Sequence, residues 1–270
     1  MNHLKIIDHH VHTNYSPDAD PEATMEAYIK RVKPLNLMGL MFTDHVDFDT
    51  PVELFHEEIN YNKYYENIQK LRKTVDFPIY MGVEIGYQPH LKKRLDDFLN
   101  AYPFDFVISS IHVGDGLDFY NGDFFINKTQ DKAYRRYFEI CLDAAKSYQN
   151  YDVFGHLDYI IRYGDFKEKR YDFSIYKDII DQILLTIIKN NKAIEVNTSG
   201  LRYGLGVMHP VKELIRRYKE LGGTMITIGS DAHKVKDLTK DLDQAISILK
   251  EVGFTHLTQY KNRTPYFIKI

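Results

Sequence analysis

Tryptophan is absent and cysteine occurs once, at Cys141, in a chain of 270 residues. An intrachain disulfide is therefore excluded, and Cys141, inside the helical-looking stretch 133–148, reads as a small buried apolar residue. No run of about 18 apolar residues occurs, which excludes a membrane-spanning helix. The first residues lack the charged start, apolar centre and small-residue cleavage site of a secretory signal, so a soluble cytoplasmic protein is expected. Charge of one sign is missing too. The 35 Lys and Arg nearly balance the 38 Asp and Glu, a net −3, which leaves no cationic field for a phosphate backbone. Neither nucleic acid nor membrane is expected as a partner, and oligomeric state is left open. No glycine-rich phosphate fingerprint follows the first strand and no GxSxG elbow is present, which removes a dinucleotide fold and a serine hydrolase. No low-complexity linker divides the chain, so residues 1–270 are expected to form one domain.

What is present is a repeated unit: an apolar run closed at once by His, Asp or Glu. It reads KIIDHHVH from Lys5, LMFTDH from Leu40, IYMGVE from Ile79, FVISSIH from Phe106, VFGHLD from Val153 and MITIGSDAH from Met225. Strands are expected at 5–11, 40–43, 79–85, 105–111, 153–157, 193–197 and 225–229. Segments of helical periodicity lie between them, at 21–35, 61–75, 91–102, 132–148, 175–190, 211–221 and 237–251. Seven β-α alternations require a parallel sheet with helical crossovers, and an unbroken series favours a distorted seven-stranded (β/α) barrel, TIM-like, over an open sheet. Functional loops are expected in the long inserts 47–60 and 114–130. The tail from Thr255 could add a last strand, although Pro265 argues against it.

His10 and His12, two apart on a strand, would share a face, with Asp8 in phase. Glu84 ends an otherwise apolar run, where an unpaired carboxylate is costly. His112, His156, Asp231 and His233 close further strands, and Asp18 and His45 complete the set. Six imidazoles and three carboxylates, without thiolate, suit zinc, manganese or iron and leave positions open for water and substrate. Two to three divalent ions are expected at the C-terminal ends of the strands.

The motifs Asp8-x-His10-x-His12, Thr43-Asp44-His45, Gly82-Val83-Glu84, Ser110-x-His112, Gly155-His156 and Gly229-Ser230-Asp231-x-His233 resemble the polymerase and histidinol phosphatase superfamily. The resemblance implies a trinuclear site: His10, His12, Glu84 and Asp231 on one metal; Glu84, His112 and His156 on the second; Asp18, His45 and His233 on the third. Asp18 stands where several relatives hold histidine. Multi-metal sites of this kind hydrolyse phosphoesters. Asp231, Glu84 and His233 are the expected catalytic residues, with Asp231 taking the proton of a metal-bridging hydroxide's parent water. Arg162 and Arg202 follow the fifth and sixth strands, and each offers a planar fork for phosphate. The stretches around His156 and Arg202 resemble the histidinol-phosphatase branch, which points to a small-molecule substrate, L-histidinol phosphate. The alternatives are another phosphoester (a phosphotyrosine protein, a nucleoside phosphate or a nucleic-acid end) or a non-catalytic metal-binding regulatory module. Glu195 and Asn197 are expected to support ligands through hydrogen bonds, His209 to sit in a surface loop, and Tyr87 and Tyr120 to lie near the mouth.

Overall fold

The computed structural model describes residues 6–32, 34, 35 and 37–270. The expected strand start at Lys5 and residue 33 of the first expected helix lie outside this set. The strands in chain order are β1 (Ile7–Asp8), β2 (Gly39–Phe42), β3 (His45–Val46), β4 (Ile79–Gly86), β5 (Phe106–Ser110) and β6 (Val113–Gly114). They continue as β7 (Leu117–Asp118), β8 (Val153–Phe154), β9 (Ala193–Asn197), β10 (Ile226–Gly229), β11 (His256–Lys261) and β12 (Thr264–Lys269). The parallel order β1-β2-β4-β5-β8-β9-β10 makes the wall of a barrel, with β3 also pairing with β4. It closes between its ends: Val11 bridges Ala232 in parallel fashion, His9 N–H donates to the Ile228 carbonyl (3.2 Å) and His12 N–H to the Ala232 carbonyl (2.9 Å).

The helices are α1 (Met25–Val32), α2 (Tyr61–Thr74), α3 (Lys92–Ala101), α4 (Gln130–Ser147), α5 (Phe173–Lys189), α6 (Ser199–Arg202), α7 (Lys212–Glu220) and α8 (Leu242–Val252). Three of them begin where the sequence supplies a side-chain cap. Asn60, Thr129 and Asp172 accept the Lys63, Lys132 and Ser174 amides at the starts of α2, α4 and α5. Helical spacing then turns Tyr134, Tyr137, Phe138, Cys141 and Ala145 of α4 inward, so Cys141 is buried in a helix as expected. Alternation along the strands separates two cores. Leu40, Phe42, Val107 and Ile194 face the helices, whereas Ile7, Met41, Phe106, Ile108, Val153 and Ala193 fill the barrel interior. Among the described residues no helix is long and apolar enough to cross a membrane.

Three expectations are corrected. The β1 ladder ends at Asp8, so the alternation that put Asp8 on one face with His10 and His12 does not carry through: Asp8 instead accepts the Ser230 (2.8 Å) and Thr239 (3.0 Å) amides. Residues 14–24 form turns before α1, tied by Asn14 N–H to the Ala23 carbonyl and Asp20 N–H to the His233 carbonyl, both 2.9 Å. The tail is an antiparallel β11–β12 hairpin outside the barrel ladder, in which Pro265 opposite Tyr260 is tolerated on an edge strand.

Candidate metal centre

His10 and His12 enter the site from the segment after β1. His10 Nδ1 lies 2.6 Å from Glu195 Oε1, and its Nε2 is 3.2 Å from Glu84 Oε2 and 3.7 Å from Asp231 Oδ1. His12 Nε2 is 3.3 Å from Asp231 Oδ1 and 3.5 Å from Glu84 Oε2. Gly229 permits this approach, since a Cβ there would collide with His10 Cβ and crowd the Glu195 carboxylate. His12 Nδ1 lies 3.3 Å from Ser16 Oγ, and Asp44 accepts the Thr13 (2.7 Å) and Ser16 (3.1 Å) amides and thereby fixes the segment that also carries Asp18.

Glu84, buried within β4, turns its two oxygens to different partners. Oε2 faces His10, His12 and His45 (3.1 Å); Oε1 faces His156 Nε2 (2.9 Å) and His112 Nε2 (3.4 Å) and accepts from Ser110 Oγ (2.6 Å). Asp47 Oδ1 lies 2.8 Å from His112 Nδ1 and orients that ring, while Asp47 Oδ2 and Glu84 Oε2 both stand 3.1 Å from His45 Nδ1. Asp18 Oδ2 is 3.0 Å from His233 Nε2 and 3.6 Å from His45 Nε2. Asp231 adopts a left-handed backbone, φ 53°, where β10 gives way to its loop. Such a conformation in a non-glycine residue is commonest at sites where side-chain direction matters.

Three sets of ligating atoms, each within 4.8 Å of one another, result: His10, His12 and Asp231; His45, Glu84 and His112; His12, His45 and His233. They overlap the sets that the resemblance implies without reproducing them: His12 and His45 each belong to two sets, and Asp18 and His156 to none. The buried His10 Nε2, His12 Nε2 and His45 Nδ1 have no hydrogen-bond partner among the described residues. Enclosed imidazole nitrogens converging on carboxylate oxygens are what divalent ions of the zinc, manganese and iron type require, so the residues present fit such ions.

The electrostatics follow from burial and crowding. Burial pushes the Glu84 and Asp231 carboxyls up, but the surrounding imidazoles, His10 foremost, hold both well below the usual range. His10 is resisted by burial yet held well above its ordinary value by Glu195, Glu84 and Asp231. His12 is driven down to about 3 by burial and by His233 and His45. For His112, burial is outweighed by Asp47 and Glu84, which raise it to about 10.

These groups open into a cavity of about 580 Å³, lined also by Tyr159, Arg162, Tyr163, Lys169 and Tyr203. Arg162 lies between the rings of Tyr159 (4.7 Å) and Tyr203 (4.2 Å), donates to Ser199 Oγ and stands 3.7 Å from Asp231 Oδ2. Arg202 donates to the Asp231 carbonyl oxygen at 2.8 Å. Arg162 Nε and Arg202 Nη1 are buried donors without a partner among the described residues. The cavity wall includes Arg162 and not Arg202.

Glu195 serves His10 as described and accepts the His156 amide at 3.0 Å, while Asn197 lies 3.3 Å from its Oε2. His209 is fully buried rather than a surface loop residue, with Nδ1 2.8 Å from Asp158 Oδ1. Tyr87 is buried 2.9 Å from Ser147 Oγ and does not reach the mouth; Tyr120 does. Sequence reasoning passed over Asp47, although His45-x-Asp47 repeats the two-residue spacing of His10-x-His12, and over Tyr159, which stacks on His156 at 4.4 Å.

Residues 8–199 match the PHP domain family, and the chain belongs to it. The histidinol-phosphatase of Lactococcus lactis subsp. lactis is 32% identical over 260 residues, 95% of each chain. The crystal structure of histidinol phosphate phosphatase from Lactococcus lactis, complexed with zinc, L-histidinol and phosphate, matches 97% of this chain and 100% of its own at a TM-score of 0.87 and 29% identity. A structure from Listeria monocytogenes shares the fold at a TM-score of 0.72 and 20% identity, covering 88% of this chain and 99% of its own.

Proposed function

We propose that this chain hydrolyses L-histidinol phosphate to L-histidinol and inorganic phosphate, using two or three divalent metal ions. The observation that carries the reading is Glu84, whose two carboxylate oxygens face separate histidine sets at 2.9–3.5 Å beside a cavity that holds Arg162. The Lactococcus relative, alike over 95% of both chains, supports the substrate. We read residues 1–270 as one cytoplasmic phosphoesterase domain; the larger of its two clusters of buried side chains runs from Ile6 to Leu257.

His10, His12, Asp18, His45, Glu84, His112, His156, Asp231 and His233 hold the ions. Bound there, divalent metals supply a hydroxide near neutral pH and neutralise charge on the phosphoryl group. Glu195 and Asp47 fix the ring orientation of His10 and His112 through their second nitrogens. Arg162, held between two tyrosine rings, presents its guanidinium to the phosphoryl oxygens, and Arg202 fixes the Asp231 backbone from behind. Asp231 Oδ2 takes the attacking water's proton, and the histidinol oxygen leaves as phosphorus is attacked in line, without a phosphoenzyme. No side chain is poised as a nucleophile: burial pushes the Cys141 thiol far up, and it lies on α4. A phosphate-release screen of metal-reconstituted protein tests this reading, with L-histidinol phosphate set beside phosphotyrosine, nucleotides and an oligonucleotide. Turnover of histidinol phosphate at the highest kcat/KM is expected, and its absence overturns the assignment.

A further inference from the structure

The phosphate end of the cavity is accounted for by Arg162 and the histidine–carboxylate cluster; a further stretch of its wall is not. That wall comes from Val52, Leu54 and Phe55 in the loop after β3 and from Asp118 and Tyr120 at and beyond β7. Five carboxylates line the cavity: Asp18, Asp47, Glu84, Asp118 and Asp231. Four of them lie within 3.3 Å of an imidazole nitrogen. Asp118, only 5% exposed, pairs with no His, Lys or Arg among the described residues. Its Oδ1 accepts the Asn121 amide at 3.0 Å, which closes the turn, but the enclosed carboxylate has no ion-pair partner among the described residues, His112 acting on it only from a distance. Of the other lining residues, Leu54 is 52% and Tyr120 73% exposed, two large apolar side chains left open in a polar site.

We propose that Asp118 recognises a cationic amine on the alcohol half of the phosphate ester, while Leu54 and Tyr120 cover the apolar portion beside that amine. The inference rests on the phosphomonoesterase reading of this same cavity and defines the substrate class more narrowly: a phosphate ester of an amino alcohol bearing a ring. L-Histidinol phosphate has both features, an ammonium and an imidazole. The ammonium supplies the missing counter-charge, and an ion-paired hydrogen bond in a largely enclosed wall discriminates strongly against an ester that lacks it. Asp118 is thus a specificity-determining residue, separate from the groups that act on phosphorus.

The test compares kcat/KM for L-histidinol phosphate and for its deamino analogue, imidazolylpropyl phosphate, in the metal-loaded wild type and in Asp118→Asn. Asparagine keeps the acceptor for the Asn121 amide and removes only the charge. The wild type should prefer the amine-bearing ester, and the preference should collapse about 10- to 100-fold in the variant, mainly through KM. An unchanged preference, or an equal fall on both esters, overturns the role of Asp118. A wild type that hydrolyses both esters with equal kcat/KM overturns this role alone, whereas one that hydrolyses neither overturns the phosphatase reading as well. Inhibition of the wild type by L-histidinol against its deamino alcohol needs no variant: stronger inhibition by L-histidinol supports the proposal, and equal inhibition overturns it.

Discussion

Glu195→Gln isolates the contribution of a residue that touches no phosphorus. Glu195 Oε1 lies 2.6 Å from His10 Nδ1, and its Oε2 accepts the His156 amide at 3.0 Å, so one carboxylate sets the orientation of two ring-bearing segments. Glutamine fills the same space and can still accept from Nδ1, but the charge is gone. A hydrogen bond to a charged group contributes about 1.5–3 kcal/mol. At about 1.4 kcal/mol per tenfold, its loss corresponds to roughly 10- to 100-fold weaker metal binding, the range found generally for carboxylates behind metal-bound histidines. Part of the bond survives in the amide, so Gln should fall at the lower end and Ala at the upper. Competition against a chelator of known affinity reads the effect directly, with kcat/KM at saturating metal as the companion measurement. Saturating metal should restore most of the Gln variant's turnover. Zinc affinity unchanged in both variants would refute the reasoning that Glu195 acts through His10.

Two other perturbations follow from the same geometry. Arg162→Ala should raise KM for histidinol phosphate about 10- to 100-fold, with Arg162→Lys a poor rescue because a lysine cannot offer the paired fork; steady-state kinetics unchanged in both would return Arg162 to a packing role. Metal-free protein should release protons on binding zinc, because His112 is raised to about 10 and must be neutral to ligate. The sign is fixed: a raised folded pKa stabilises the metal-free protein below about pH 6.5, and that gain is lost as pH rises through about 10. Its melting temperature should therefore decline toward pH 10, while apparent zinc affinity weakens as pH falls. Titration calorimetry giving the same heat in buffers of different ionisation enthalpy would argue against proton release.

The barrel was legible because each strand is a short apolar run closed by a polar group, a pattern that β-α alternation turns into a ring of C-terminal ends; β4, β5, β9 and β10 fall within a residue or two of their expected limits. The phase of β1 was not, because regular pairing stops at Asp8 and two-residue alternation carries no information beyond it. Asp18 lies in turns fixed by Asp44 and by the Asp20-to-His233 backbone bond, contacts remote in sequence that no local pattern records. The Asp158–His209 pair was hidden for the same reason, at a separation of 51 residues. Tyr159 and Tyr203 look like ordinary loop tyrosines until the fold brings both onto Arg162.

The central claim is that Glu84 joins at least two metal positions into one hydrolytic centre. Its most direct test is a stoichiometric titration of metal-free protein with zinc, in which bound metal is measured by elemental analysis alongside turnover of L-histidinol phosphate. The account predicts that activity rises to its plateau only as the second equivalent binds, and that Glu84→Gln retains the fold, loses at least one equivalent and is inactive. Full activity at one equivalent or less, or a Glu84→Gln variant that binds and turns over like the wild type, would contradict it.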